Sequence, residues 1–178
     1  MRLLFAMDTK DYKANGTVFV RNSARSIIIK NGLVAMVHSL KYDYYKFPGG
    51  GIEQCESAEN AVIRETLEET GLVVIPESVK EYGYVHRIQK DDVGIADIFE
   101  QDNFYFFCEV EESIHPQNLD SYEAEEKFTL EYVQPDKAIL ANRKNKQSSP
   151  DKIMNERDAK VLELLIKEGY FNKKEGLQ

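Results

Sequence analysis

Tryptophan is absent from this 178-residue chain, cysteine occurs twice and proline five times. Cys55 and Cys108 are too few for a disulfide framework or a Cys-based zinc site, and a reducing cytoplasm is the expected setting. No apolar run reaches the roughly 20 residues that span a bilayer. Leu3–Met7 is cut short by Asp8, too early for a signal-peptide core. Acidic residues outnumber basic ones, 31 to 23, and the net charge of −8 argues against a broad nucleic-acid or anionic-membrane surface. It does not argue against nucleotides, because a bound cation screens phosphate from an acidic site. His38, His86 and His115 are scattered, so neither a His-based zinc site nor a Ser-His-Asp triad is supported. Internal repeats and low-complexity tracts are missing too. What is there is ordinary for a globular chain, with 42% hydrophobic and 30% charged residues and length for one domain with a sizeable core.

The pattern along the chain predicts short strands interleaved with two or three helices. Strands are expected at Thr17–Val20, Ser26–Ile29, Leu33–His38, Leu72–Ile75, Val79–Ile88, Phe104–Val110 and Phe128–Val133. Lys30-Asn31-Gly32 reads as a hairpin turn because Asn-Gly tolerates positive φ. Tyr44–Phe47 leads into a glycine-rich loop, Pro48-Gly49-Gly50-Gly51. Ser57 is placed to cap a helix that runs to about Thr70, and Gly71 to end it. Residues 90–99 and the acidic stretch 111–126 read as loops. A short helix is expected from about Pro135 to Asn142, then a polar connector over 143–153. A closing helix spans about 155–168, with Asn155 and Asp158 as its N-cap pair. Ala159, Leu162, Leu165 and Ile166 give it an apolar stripe that packs on the body or forms a homodimer contact. The expected organisation is one domain over 1–178, with a core at about 25–142 and an N-terminal extension over 1–24.

Residues 50–72 carry the densest signal, G-G-I-E-Q-C-E-S-A-E-N-A-V-I-R-E-T-L-E-E-T-G-L. At roughly 100° per residue, Glu65, Glu68 and Glu69 project from one side of a helix. Like charges three and four apart destabilise a helix by a few tenths of a kcal/mol per pair. Clustering them has a purpose if a hard divalent cation such as Mg²⁺ must be held by carboxylate oxygens and substrate phosphate. The same stretch resembles the Nudix box, G-x5-E-x7-R-E-U-x-E-E-x-G-U with U aliphatic. Gly50, Glu56, Arg64, Glu65, Glu68, Glu69, Gly71 and Leu72 all match, whereas Thr66 stands at an aliphatic position and Cys55 where many members have glycine.

The resemblance implies a Nudix-type α/β/α sandwich, with a mixed β-sheet between helices, and a Mg²⁺-dependent pyrophosphohydrolase for which Mn²⁺ can substitute. It makes Glu65 and Glu69 direct metal ligands, with Glu68 a further ligand or an outer-shell contact and the Gly50 carbonyl completing the set, while Glu56 binds a second metal or orients Arg64. Arg64 becomes a clamp within the catalytic group. The catalytic base is Glu126 by its place before the last strand, with Glu123, Glu125 and Glu100 as rivals, or else a box residue, Glu68 or Glu69. Arg25, Lys46, Phe47 and Tyr84 are candidates for the substrate, with Arg21, Tyr44, Tyr45 and Phe106 as further options. The substrate is a nucleoside diphosphate linked to a group X. Residues that mark ADP-ribose, dinucleoside-polyphosphate and coenzyme A hydrolases are missing, so a nucleoside triphosphate, intact or oxidised, leads by elimination. The rival readings are a nucleotide sensor that does not cut and an RNA 5′-end pyrophosphohydrolase; the acidic balance disfavours the latter.

Overall fold

The computed structural model describes residues 1–144 and 151–172. The strands are Leu3–Asp8 (β1), Val18–Val20 (β2), Ser23–Ile27 (β3), Ile29–Lys30 (β4), Leu33–Ser39 (β5), Tyr44–Lys46 (β6), Gly49–Gly51 (β7), Leu72–Val74 (β8), Lys80–Lys90 (β9), Ile98–Phe107 (β10), Val110–Ile114 (β11) and Phe128–Val133 (β12). The helices are Ala58–Thr70 (α1), Ser121–Glu126 (α2), Pro135–Lys144 (α3) and Lys152–Lys167 (α4). The main sheet runs β1-β9-β10-β3-β7, with β2 also on β10. It is mixed: β9 and β10 form an antiparallel hairpin, while β1, β2 and β3 join in parallel. A second sheet, β12-β5-β4 with β6 on β5, is antiparallel, and β8 pairs with β11.

Each side of this layer has its own core. On one side Ala61 and Val62 of α1 pack with Ala24, Ile28, Ala35, Leu72 and Phe106. On the other, Val161, Leu162 and Leu165 of α4 and Ala138 of α3 pack with Ile27, Met36, Phe47, Val85 and Tyr105. The result is the expected α/β/α sandwich. The stripe on α4 is covered within the chain, with Leu162 and Leu165 fully buried.

Local signals explain most boundaries. The Ser57 hydroxyl accepts from the Asn60 N–H at 3.1 Å, and Gly71 closes α1 in the left-handed region at φ 73°. Asn31 and Gly32 take φ 54° and 74°, as an Asn-Gly hairpin requires. Thr66, the polar residue at an aliphatic position, is buried and donates to the Ser26 hydroxyl at 2.9 Å, so its departure is matched across the α1–β3 contact.

Other expectations need correction. The stretch 111–126 is not a loop: it contains most of β11 and all of α2, whose capping box joins Asp120 and Glu123. Residue 90 of the expected 90–99 loop belongs to β9, and residues 98 and 99 belong to β10. Asp151, not Asn155 or Asp158, caps α4, its side chain accepting from the Met154 N–H at 2.8 Å. Of the expected connector over 143–153, residues 145–150 lie outside the described residues. Among the described residues no helix is long and apolar enough to cross a membrane.

Candidate active site

The box sequence folds so that β7 and α1 face each other. Gly49 adopts φ 139°, and a Cβ there would strike the Ala24 carbonyl, so only glycine lets β7 lie this close to β3. A Cβ on Gly50 would run into the Glu65 carboxylate. Arg64 then draws the acids together. Its guanidinium donates to both Glu56 oxygens at 2.9 Å, to Glu65 at 2.8 Å, to Glu68 at 3.0 Å and to the Gly51 carbonyl at 3.1 Å. This pairing holds the Glu56 carboxyl below the usual range.

Glu69 takes a separate position. It is 1% exposed, forms an ion pair with Lys46 and accepts from the Gly49 N–H at 2.9 Å. Burial pushes its carboxyl up to about 7, against the pull of Lys46 and Arg25.

Two adjoining clefts result. A cleft of about 410 Å³ is lined by Glu53, Glu65, Glu68, Glu69, Asp120 and Glu123 against only Arg21 and Arg64. A larger one, about 710 Å³, is lined by Arg25, Lys46, Gly49–Gly51, Tyr44, Tyr122, Glu126, Phe128 and residues of β9, β10 and the start of α4. Arg21 and Gly51 line both, so the two adjoin there. The smaller cleft offers only hard oxygen donors in excess over its cations, and the Gly50 cradle brings backbone against Glu65; this donor set fits Mg²⁺ or Mn²⁺. Among the described residues no three His, Cys, Asp or Glu side chains already surround one ion-sized point. The carboxylates are drawn onto Arg64 and Lys46 instead.

The sequence candidates divide by place. Glu56, Arg64, Glu65, Glu68 and Glu69 come together at the box helix, and Arg25, Lys46, Gly50 and Glu126 line the larger cleft. Glu126 is the last residue of α2, not a loop residue. It is 8% exposed, its Oε2 accepting from the Tyr44 hydroxyl at 2.7 Å and the Ser39 hydroxyl at 3.0 Å. Phe47 lines neither cleft: it is fully buried against Tyr105, its N–H donating to Asp158 at 3.2 Å. Tyr84 lines neither; its ring packs on Phe104, centroids 6.0 Å apart. Tyr45 and Phe106 are core residues. Of the rival bases, Glu123 lines the acidic cleft, Glu125 pairs with Lys41 and Glu100 lies 3.9 Å from His86.

Several cleft residues escaped the sequence reading. Arg87 on β9 bonds Asp151 at 2.9 and 3.1 Å, and Arg157 on α4 bonds Asn103 and Asp158. A signal existed on β9. Val85, Arg87 and Gln89 alternate along the strand and share one face, so two polar residues point where an apolar core residue was due.

The α/β/α sandwich thus sets a carboxylate-lined cleft beside a larger cleft of aromatic and basic side chains. The chain belongs to the NUDIX family, whose domain model matches residues 18–156. It is 42% identical over 55 residues to the Bacillus subtilis (strain 168) protein named "Putative 8-oxo-dGTP diphosphatase YtkD". That match covers 31% of this chain and about a third, 34%, of YtkD. Solved structures share the fold. The Escherichia coli ORF135 protein superposes with a TM-score of 0.56 at 16% identity, covering 85% of this chain and 94% of its own. A MutT NUDIX hydrolase from Burkholderia pseudomallei gives 0.53 at 15%, covering 82% and 97%, and a mutator MutT protein from Bacillus halodurans 0.52 at 22%, covering 68% and 72%.

The raised Glu69 carboxyl has a consequence for stability. Its folded value, about 7, lies above the 4.5 of a free carboxyl. As pH rises through that window the folded chain must lose a proton that the unfolded chain has already lost, so the Glu69 contribution to stability falls. In chelator, Glu69→Gln is therefore expected to melt at a higher temperature than wild type at pH 8. The difference should shrink toward pH 5. Thermal melts at the two pH values check this; a lower melting temperature for the variant at pH 8 would show that the Lys46–Glu69 pair is net stabilising.

Proposed function

We propose that the enzyme is a Mg²⁺-dependent pyrophosphohydrolase that cuts a nucleoside triphosphate, intact or oxidised on its base, to a monophosphate and pyrophosphate. The observation that carries this is the junction of the two clefts at Gly51 and Arg21. It sets an oxygen-rich pocket for a metal–phosphate group beside a pocket wide and aromatic enough for a nucleoside. The name of the Bacillus subtilis relative points to the same substrate class.

In this reading Glu65 and Glu69, with Glu68, Glu56 and the Gly50 carbonyl, hold the metal. Mg²⁺, or Mn²⁺ in its place, neutralises phosphate charge and lowers the pKa of a water when bound. Arg64 orients the carboxylates it bridges. Arg21, Arg25 and Lys46 face the phosphates and the sugar. Water adds to phosphorus, the bridging P–O bond breaks, and a carboxylate takes the water's proton; Glu126 serves as that base. Tyr44, Tyr122 and Phe128 flank the nucleobase.

A panel of triphosphates, ADP-ribose and dinucleoside polyphosphates with Mg²⁺ tests the substrate, and triphosphates should give the highest kcat/KM. A clear preference for ADP-ribose would replace the triphosphate assignment. Glu126→Gln tests the base. It should lower kcat about a hundredfold with little change in KM, because a proton acceptor acts mainly in the transition state. A silent Glu126→Gln beside a severe Glu68→Gln would move the base to the box helix.

A further inference from the structure

A glutamate side chain that is not held samples several rotamers, and a proton acceptor has to be held. Glu126 is held by one hairpin. Ser39, the last residue of β5, and Tyr44, the first of β6, stand opposite each other in its register. Both are buried. Their hydroxyls converge on a single atom, Glu126 Oε2, at 3.0 Å and 2.7 Å. From the turn between them the Lys41 N–H donates to the Glu126 carbonyl at 3.2 Å. The hairpin therefore fastens both the backbone and the side chain of a residue far along the chain.

The two oxygens of Glu126 have different surroundings. Oε2 receives both hydroxyls, bonds that are strong because an ionised carboxylate accepts them. Burial, and then the Glu126 carboxylate beside it, push the Tyr44 phenol above its ordinary range, so it stays a donor. Oε1 has no hydrogen-bond partner among the described residues, yet it is not sealed from solvent. The side chain lines the larger cleft beside Lys46, Gly49 and Gly50. The oxygen left without a donor is thus the one that a water in this cleft can reach.

We infer that Ser39 and Tyr44 are positioning residues for the base: they pin Oε2 so that Oε1 is presented to the attacking water. This role rests on Glu126 being the base, as proposed above, and adds the groups that set its reach and orientation. In the step, Oε1 takes a proton from the water while the water oxygen bonds phosphorus, and the electron pair of the broken P–O bond leaves with pyrophosphate. Neither hydroxyl gains or loses a proton. Their effect is geometric, and a misplacement of about 1 Å costs about a hundredfold in rate.

Tyr44→Phe keeps the ring that lines the cleft and removes only the hydroxyl. With dGTP and Mg²⁺ it should lower kcat about tenfold and change KM less than about twofold, because the anchor acts in the transition state and not in binding. Ser39→Ala should behave alike, and the two together should approach the loss of about a hundredfold expected of Glu126→Gln. Coupling separates positioning from packing. Added to Glu126→Gln, Tyr44→Phe should change kcat by less than about twofold, since an anchor has nothing to act on once the proton acceptor is gone.

An equal loss from Tyr44→Phe in both backgrounds overturns the positioning role and makes the hydroxyl a packing group. A rise in KM at unchanged kcat overturns it too and assigns the hydroxyl to substrate binding. Wild-type kcat in folded Tyr44→Phe and Ser39→Ala beside a severe Glu126→Gln refutes the anchoring and leaves the base in place. A silent Glu126→Gln removes the base reading and the positioning role with it. Circular dichroism shows which variants fold, and if Tyr44→Phe does not, Ser39→Ala carries the same cycle with Glu126→Gln.

Discussion

Glu69→Gln should lower kcat/KM for nucleotide hydrolysis by at least about a hundredfold, on the order of 2.7 kcal/mol at about 1.36 kcal/mol per decade. Glu69 is the box carboxylate at the seam of the site. It lines the acidic cleft while its two oxygens meet Lys46 and the Gly49 N–H. Glutamine keeps the shape and an oxygen to accept the Gly49 N–H, but it removes the negative charge proposed to hold a cation. The fold should survive, since the neutral group suits its buried surroundings. Steady-state kinetics beside circular dichroism separate loss of chemistry from loss of structure. Wild-type turnover in the folded variant would remove Glu69 from the metal set.

Truncation after residue 149 should give insoluble protein or a steep fall in melting temperature, although every box carboxylate remains. The deletion removes α4, whose Ala159, Val161, Leu162 and Leu165 are fully buried. Burying a Val or Leu side chain stabilises by about 1.5–3 kcal/mol. The loss thus approaches the roughly 5–15 kcal/mol that holds a whole domain together. Asp158 goes too, leaving the Phe47 N–H and the Tyr105 hydroxyl without the acceptor they share. Light scattering and thermal melts on both chains check the outcome. A truncated protein as monomeric, soluble and heat-stable as the full chain would contradict the packing described.

The box helix was legible because its signals are local. Ser57 and Gly71 mark its ends, and the spacing of Glu65, Glu68 and Glu69 fixes their side. The Asn31-Gly32 hairpin was legible for the same reason. What was missed depends on distant partners. β1 is a half-exposed strand without turn signals, and it forms only because β9, far along the chain, accepts it in parallel. α2 spans six residues within an acidic run, where charge masks a capping box. Asp158 looked like a cap; it serves the backbone of Phe47 and the hydroxyl of Tyr105 instead, which periodicity cannot reveal. The carboxylate half of the site was therefore readable as a motif. The half that includes Arg87, Asp151 and Arg157 exists only once β9 and α4 are brought together.

Phosphorus NMR of the purified enzyme with dGTP or 8-oxo-dGTP and Mg²⁺ tests the central claim most directly. The account predicts equal amounts of nucleoside monophosphate and pyrophosphate, with no turnover once chelator exceeds metal. Release of orthophosphate as the first product, or hydrolysis that persists in excess chelator, would contradict it.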